Sequence, residues 1–296
     1  MNKVKQYLDY AAKQYYEGTP IISDAVFDEL AMSVDYRKVG TSTAANKGKH
    51  MHRLYSLQKF YEDEGAEPLK EYTDKVASLK LDGAVISLLY LEGELVRALT
   101  RGDGITGVDI TAKMLHTHLV PHTVDFMGAL QVSGEIAAPL HVENARNYAA
   151  GALNLNSVEE FKSRAVSFFA HGVYPYPTDT YRKDMQWLTE QGFATVLEVD
   201  LEKIYPSDGM VFRINNNELF DSLGTTSTFP HGAYAKKVRS EAVETTLLGV
   251  EWQVGKSGKV TPIAILDPIY CGDALVSRAT LNNPGFIQAL DLQIGD

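Results

Sequence analysis

Lys80 opens the run Lys80-Leu81-Asp82-Gly83, and a basic, glycine-rich stretch, Thr100-Arg101-Gly102-Asp103-Gly104, follows it. A lysine amine attacks phosphorus only when neutral, and a lysine in water, which titrates at about 10.4, is almost never neutral at pH 7. A site that uses it must favour the uncharged amine. Leu79, Leu81, Val85 and Ile86 supply apolar surroundings, and nearby cations lower a lysine pKa further. An amine nucleophile paired with such a loop points to nucleotidyl transfer chemistry.

The elements around these residues have to be built from 296 residues that are 45% hydrophobic, enough for at least one sizeable core, and longer than a typical single domain. Two domains and part of a third are expected. The single cysteine, Cys271, excludes an internal disulfide and a multi-cysteine zinc site and permits a reducing compartment. No apolar run approaches the length of a membrane span, so the expectation is a cytoplasmic protein, in a bacterial cell or a phage-infected host. A formal charge of -10 argues against gripping nucleic acid by bulk electrostatics. Local basic groups, Lys236 with Lys237 and Arg239, and Lys256 with Lys259, are the exceptions.

Val4, Tyr7, Leu8, Ala11, Ala12 and Tyr15 recur at helical spacing, and Ser23 can cap a second helix that carries Phe27, Leu30 and Val34 inward. Residues 1–50 therefore read as a small helical domain, with Thr41 to Lys49 as a polar linker. Residues 51–242 read as a mixed α+β domain with antiparallel sheets. Strands are expected over Val85 to Leu91, Glu94 to Leu99, Gln131 to Ile136, Val166 to Val173 and Gly209 to Ile214, and helices near Asp109 to Leu115, Val142 to Ala150 and Thr180 to Gln191. Residues 243–296, rich in β-branched residues and glycine, suggest strands of a small barrel.

The motifs resemble those of the NAD-dependent DNA ligases. Lys80-Leu81-Asp82-Gly83 and the Arg101 loop are followed, in the family's order, by Ser133-Gly134-Glu135-Ile136, Ala145-Arg146-Asn147, Asp208-Gly209-Met210-Val211 and Ala235-Lys236-Lys237. The likeness extends upstream to Ser23 through Asp28 and to Ser56-Leu57, and downstream to Glu251-Trp252-Gln253-Val254-Gly255 and Val276 through Leu281. It implies a helical domain that grips the nicotinamide mononucleotide half of NAD, a nucleotidyltransferase domain, and the first part of an OB-type barrel. A zinc module and a helix-hairpin-helix region follow that barrel in the family. A second polypeptide that completes the barrel, as in split ligases of some bacteriophages, is one expectation; a sequence cut short is the other.

By the resemblance, Lys80 attacks the α-phosphorus of NAD to form lysyl-AMP, nicotinamide mononucleotide leaves, and AMP is passed to the 5'-phosphate of nicked double-stranded DNA. Asp82, Arg101, Asp208 and Lys237 join Lys80 as catalytic residues. Ser56, Leu57 and Leu81 are expected at adenine, Glu135 at the AMP ribose, and Arg146 and Arg213 on the cofactor. Tyr15 or Tyr16, with Asp24 and Asp28 on one helix face, is expected at the nicotinamide half. Asp82, Glu135 and Asp208 are expected to converge and to hold Mg2+, directly or through water.

The sequence departs from the family pattern at Phe27, where a tyrosine is usual, at Ser78 for glutamate, at Ser133 and Asn154 for arginines, and at Arg213 for lysine. These changes motivate a second reading, a degenerate ligase fragment that binds NAD or a partner without sealing DNA. They bear on strand sealing more than on self-adenylation. Gly102-Asp103-Gly104-Ile105-Thr106-Gly107, with Asp125 beyond it, also matches G-x-G-x-x-G. A dinucleotide fold, however, needs a parallel βαβ unit, and the strand before this loop is expected in an antiparallel hairpin. His116, His118 and His122 lie close in sequence but are spaced poorly for one metal and suit surface or capping roles.

Overall fold

The computed structural model describes residues 47–63, 65–238, 242–255, 258–272 and 274–296. Tyr15, Tyr16, Asp24, Phe27 and Asp28, and with them residues 1–46 of the expected helical domain, lie outside the described residues. The end of the expected linker is a strand instead. β1 (Lys47–Lys49) pairs antiparallel with β6 (Thr106–Val108). Lys-Gly-Lys looks like linker because it is small and charged, but lysines suit an exposed edge strand. Gly48 also lies so close to Leu99 that an added Cβ would be 2.8 Å from its Cδ2.

Two four-stranded sheets build the central part. The first has the order β5-β4-β7-β8, from β4 (Ala84–Leu91), β5 (Glu94–Thr100), β7 (Ala129–Ala137) and β8 (Ser167–Tyr174), all antiparallel. Alternation along β4 sends Ile86, Leu88 and Tyr90 inward, each fully buried. They meet Leu130 and Val132 of β7, Ala149 and Leu153 of α2 (Ala145–Asn154), and Met185 and Leu188 of α4 (Tyr181–Glu190). Each large aliphatic side chain buried this way contributes about 1.5–3 kcal/mol.

The second sheet has the order β2-β10-β9-β3, from β2 (Gln58–Phe60), β3 (Lys75–Leu81), β9 (Ser207–Ile214) and β10 (Ala233–Lys236). β2 pairs parallel with β10, and the other pairs are antiparallel. Phe212 and Tyr234 stack across it, with centroids 5.2 Å apart. The short helices α1 (Thr111–Leu115), α3 (Val158–Lys162) and α5 (Asn217–Ser222) fill the connections.

The glycine pattern over 102–107 joins β5 to β6, and β5 is antiparallel to β4. The loop therefore has none of the strand-to-helix geometry of a dinucleotide fold. Past residue 242 a separate antiparallel sheet has the order β11-β12-β13, from β11 (Leu247–Val254), β12 (Val260–Cys271) and β13 (Ala274–Thr280). Its small core is Leu247, Ala264 and Leu281, closed by α6 (Pro284–Ala289), whose first turn Asn283 caps at Phe286 N–H, 3.1 Å away.

Candidate active site

Lys80 stands at an irregularity between β3 and β9. Leu79 is opposite Met210 and Leu81 opposite Ser207, so Lys80 alone faces both Asp208 and Gly209. Such a bulge re-aims side chains. Lys80 Nζ lies 2.8 Å from Asp208 Oδ1, and Lys237 Nζ lies 2.5 Å from Asp208 Oδ2. Burial opposes ionisation of Asp208, but hydrogen bonds and charge from Lys237 and Lys80 outweigh it and hold the carboxyl below its usual range. Gly209 makes the approach possible. Its φ is +140°, and a Cβ there would sit 2.1 Å from the Lys236 carbonyl oxygen.

A second group lies in one row across the first sheet. Arg101 N–H donates to Val85 O over 3.0 Å, and Val85 is opposite Glu135 on β7. Burial pushes the Glu135 carboxyl up to about 7, against the opposing charges of Lys80 and Arg146 and with Asp82 adding to the rise. A carboxyl that is half protonated near neutrality can donate or accept toward a hydroxyl-bearing ligand. Arg146, at the start of α2, reaches Asp82 Oδ1 over 2.6 Å, while Asp82 N–H is tied to Pro206 O. Arg101 Nη2 donates to Ser56 Oγ over 2.6 Å, and its buried Nε has no partner among the described residues.

The remaining expected residues are scattered. Leu57 is half-buried beside Ser56. The Leu81 side chain is core, packed with Ala137, Phe169, Val196 and Leu201. Arg213 is not free to reach a phosphate in this arrangement. Its guanidinium is 4.0 Å above the Phe220 ring and 4.5 Å above Tyr181, and it donates to Ile214 O and Asn217 Oδ1. Burial lowers its pKa. Arginine's flat, weakly hydrated fork suits an aromatic cage better than lysine's point charge. Tyr181 lines one pocket with Arg213, Ser133 and Gln131, so two of the family departures share it.

His171 was not expected. At a second bulge Ser133 is opposite Gly172 and Gly134 opposite Ala170, which leaves His171 as the extra residue. Burial, with the charges of Lys80 and Arg101, pushes its imidazole down to about 4, so it is neutral at physiological pH. Nothing in the alternation of β8 marks it, because a bulge breaks that alternation.

Asp82, Glu135 and Asp208 are the carboxylates expected at a metal. Among the described residues no three histidine, cysteine or carboxylate side chains are placed to hold one ion. Arg146 occupies Asp82, and two lysines occupy Asp208. Their charges face Arg146, Lys80 and Lys237 in this arrangement. His116 and His122 bond backbone carbonyls of α1 and its C-terminal turn, a capping role.

A strand lysine paired with a carboxylate that a second lysine shares, with an arginine in a glycine-rich loop nearby, is an arrangement suited to nucleotidyl transfer. The comparisons with known proteins name the group. The NAD-dependent DNA ligase adenylation domain matches residues 42–204, and the OB-fold domain of the same ligases matches residues 244–296. A DNA ligase of Corynebacterium aurimucosum is 32% identical over 95% of this chain and 51% of its own length. One of Helicobacter pylori is 29% identical over 98% of this chain and 54% of its own. One of Acinetobacter baylyi is 34% identical over 74% of this chain and 39% of its own. The chain belongs to the NAD-dependent DNA ligase family, and it spans about half the length of the curated relatives it matches.

Proposed function

We propose that this chain performs the self-adenylation step of an NAD-dependent DNA ligase and hands the adenylate to the 5'-phosphate of nicked duplex DNA. The observation that carries the reading is the Lys80, Asp208 and Lys237 cluster at the β3–β9 bulge. Asp208 aims Nζ, and Lys237 shares the carboxylate, which loosens its hold on the Lys80 ammonium and favours loss of the proton. The neutral amine attacks the α-phosphorus. A P–N bond forms, the bond to the nicotinamide mononucleotide phosphate breaks, the leaving group departs with the electron pair, and the attacking nitrogen releases its extra proton to solvent. Arg101 and Lys237 neutralise charge around the pyrophosphate, which is what phosphoryl-type transfer asks of a protein. Ser56 and Leu57 face adenine, and Glu135 holds the ribose.

The binding of nicotinamide mononucleotide by Tyr15 or Tyr16 with Asp24 and Asp28 belongs to the same reading. Mg2+ held by Asp82, Glu135 and Asp208, directly or through water, beside the cosubstrate's phosphates belongs to the same reading. Arg146 and Arg213 reach the cofactor only after leaving Asp82 and the aromatic cage.

A cytoplasmic setting, in a bacterial cell or a phage-infected host, fits a protein that consumes NAD. Among the described residues no helix is long and apolar enough to cross a membrane. A second polypeptide that supplies the rest of the barrel, the zinc module and the helix-hairpin-helix region is also part of the reading. It is supported by the apolar face on β11 and β12, where Trp252, Val254 and Val260 are each about half exposed or more.

The test is incubation with NAD labelled in its adenylate half. Label retained by the wild type and absent from Lys80→Ala, with free nicotinamide mononucleotide released, is expected. Conversion to NADH, or persistent label in Lys80→Ala, refutes the reading. Sealing of a nick by this chain alone would remove the need for a second polypeptide.

A further inference from the structure

We propose that His50 is a positioning residue for Arg101, setting the angle at which the guanidinium meets the adenylate half of the cosubstrate; this rests on the reading of Arg101 as a ligand-facing residue. His50 is 6% exposed, directly after β1, and its N–H donates to Ile105 O over 2.9 Å. Its imidazole bridges two strands. Nδ1 lies 2.7 Å from Ser87 Oγ on β4, and Nε2 lies 3.1 Å from the Arg101 carbonyl oxygen at the end of β5.

A carbonyl only accepts, so Nε2 carries the hydrogen and Nδ1 accepts from the Ser87 hydroxyl. This assigns the tautomer from the bonding pattern. Burial lowers the imidazole pKa, against the Arg101 carbonyl and Asp103 and with Arg97, so the neutral ring is the resting form. The Arg101 carbonyl also accepts from Gly104 N–H over 2.9 Å, and Arg101 N–H is held by Val85 O over 3.0 Å. The backbone of Arg101 is therefore gripped on three sides, and one grip is the side chain of a residue far away in sequence. The guanidinium, bonded only to Ser56 Oγ and with Nε unpartnered among the described residues, takes its aim from that backbone.

His50→Leu removes both imidazole bonds, and His50→Gln keeps an amide N–H that can reach the Arg101 carbonyl. Each is made alone and with Arg101→Ala, and lysyl-adenylate formation is followed with NAD in single turnovers. We expect His50→Leu to lower the rate at limiting NAD by roughly tenfold to a hundredfold, His50→Gln to recover most of it, and neither to matter further in Arg101→Ala. Equal losses in both backgrounds, or no loss in either, overturn the proposal. Imidazole 15N shifts of the wild type give an answer independent of activity: hydrogen on Nε2 supports it, hydrogen on Nδ1 refutes it. If His50→Leu does not fold, the Gln variant and the tautomer decide. If the wild type takes up no adenylate at all, the reading of the active site fails, while the tautomer still tests His50.

Discussion

Asp208 divides one carboxylate between two ammonium groups, 2.8 Å from Lys80 and 2.5 Å from Lys237. Replacing it with asparagine leaves two like charges unneutralised side by side, and like charges disfavour the ammonium form. Asp208→Asn should therefore move the pH dependence of lysyl-adenylate formation to lower pH while lowering the rate about a hundredfold through lost aim. Single-turnover labelling across pH measures both, and an unchanged rate would show that Asp208 is dispensable. Glu135 makes a separate prediction. Its carboxyl, pushed by burial from 4.5 to about 7, keeps a proton in the folded protein where the unfolded chain has lost it. Folding stability then falls as pH rises through that window, by up to about 3 kcal/mol for this group. Glu135→Gln removes the titration, so the variant should gain melting temperature relative to the wild type as pH rises from about 5 to about 8. A difference that is flat in pH contradicts the shift. The motifs marked Lys80, Asp208, Lys237, Glu135 and Arg101 by residue type alone, and the structure pairs both lysines with Asp208 and sets Arg101 and Glu135 on either side of Val85. His171 and the caging of Arg213 were not legible, because both depend on which face a side chain finds once strands pair.

Each of the two bulges adds what regular pairing cannot, a side chain turned toward a shared space. Gly209 is the residue on which the first depends. Gly209→Ala places a Cβ 2.1 Å from the Lys236 carbonyl at a φ of +140°. Strain alone costs about 1–3 kcal/mol, and the backbone of β10 must shift as well. The variant should melt lower and take up adenylate more slowly than the wild type, whereas unchanged melting and uptake would mean that β9 and β10 tolerate the side chain. The strands were legible wherever apolar residues alternate, as along Val85 to Leu91 of β4. The linker reading of Thr41 to Lys49 missed β1 because Lys47–Lys49 has no apolar pattern and pairs with β6 through backbone alone. The parallel pairing of Gln58–Phe60 with Tyr234–Lys236 was equally hidden, since long-range pairing leaves no local mark.

For the molecule as a whole, the two sheets, the separate β11–β13 sheet and the family match agree with the α+β organisation expected from the pattern of short strands and helices. The formal charge of -10 argues against the surface at large gripping nucleic acid by bulk electrostatics. The proposed function rests on a covalent bond to a single amine. The most direct measurement is peptide-mapped mass spectrometry of the full chain after exposure to NAD. One adenylate is predicted, on the peptide containing Lys80 and on that side chain, with nicotinamide mononucleotide released in equal amount. An unmodified chain, or an adenylate on any other residue, would contradict the account.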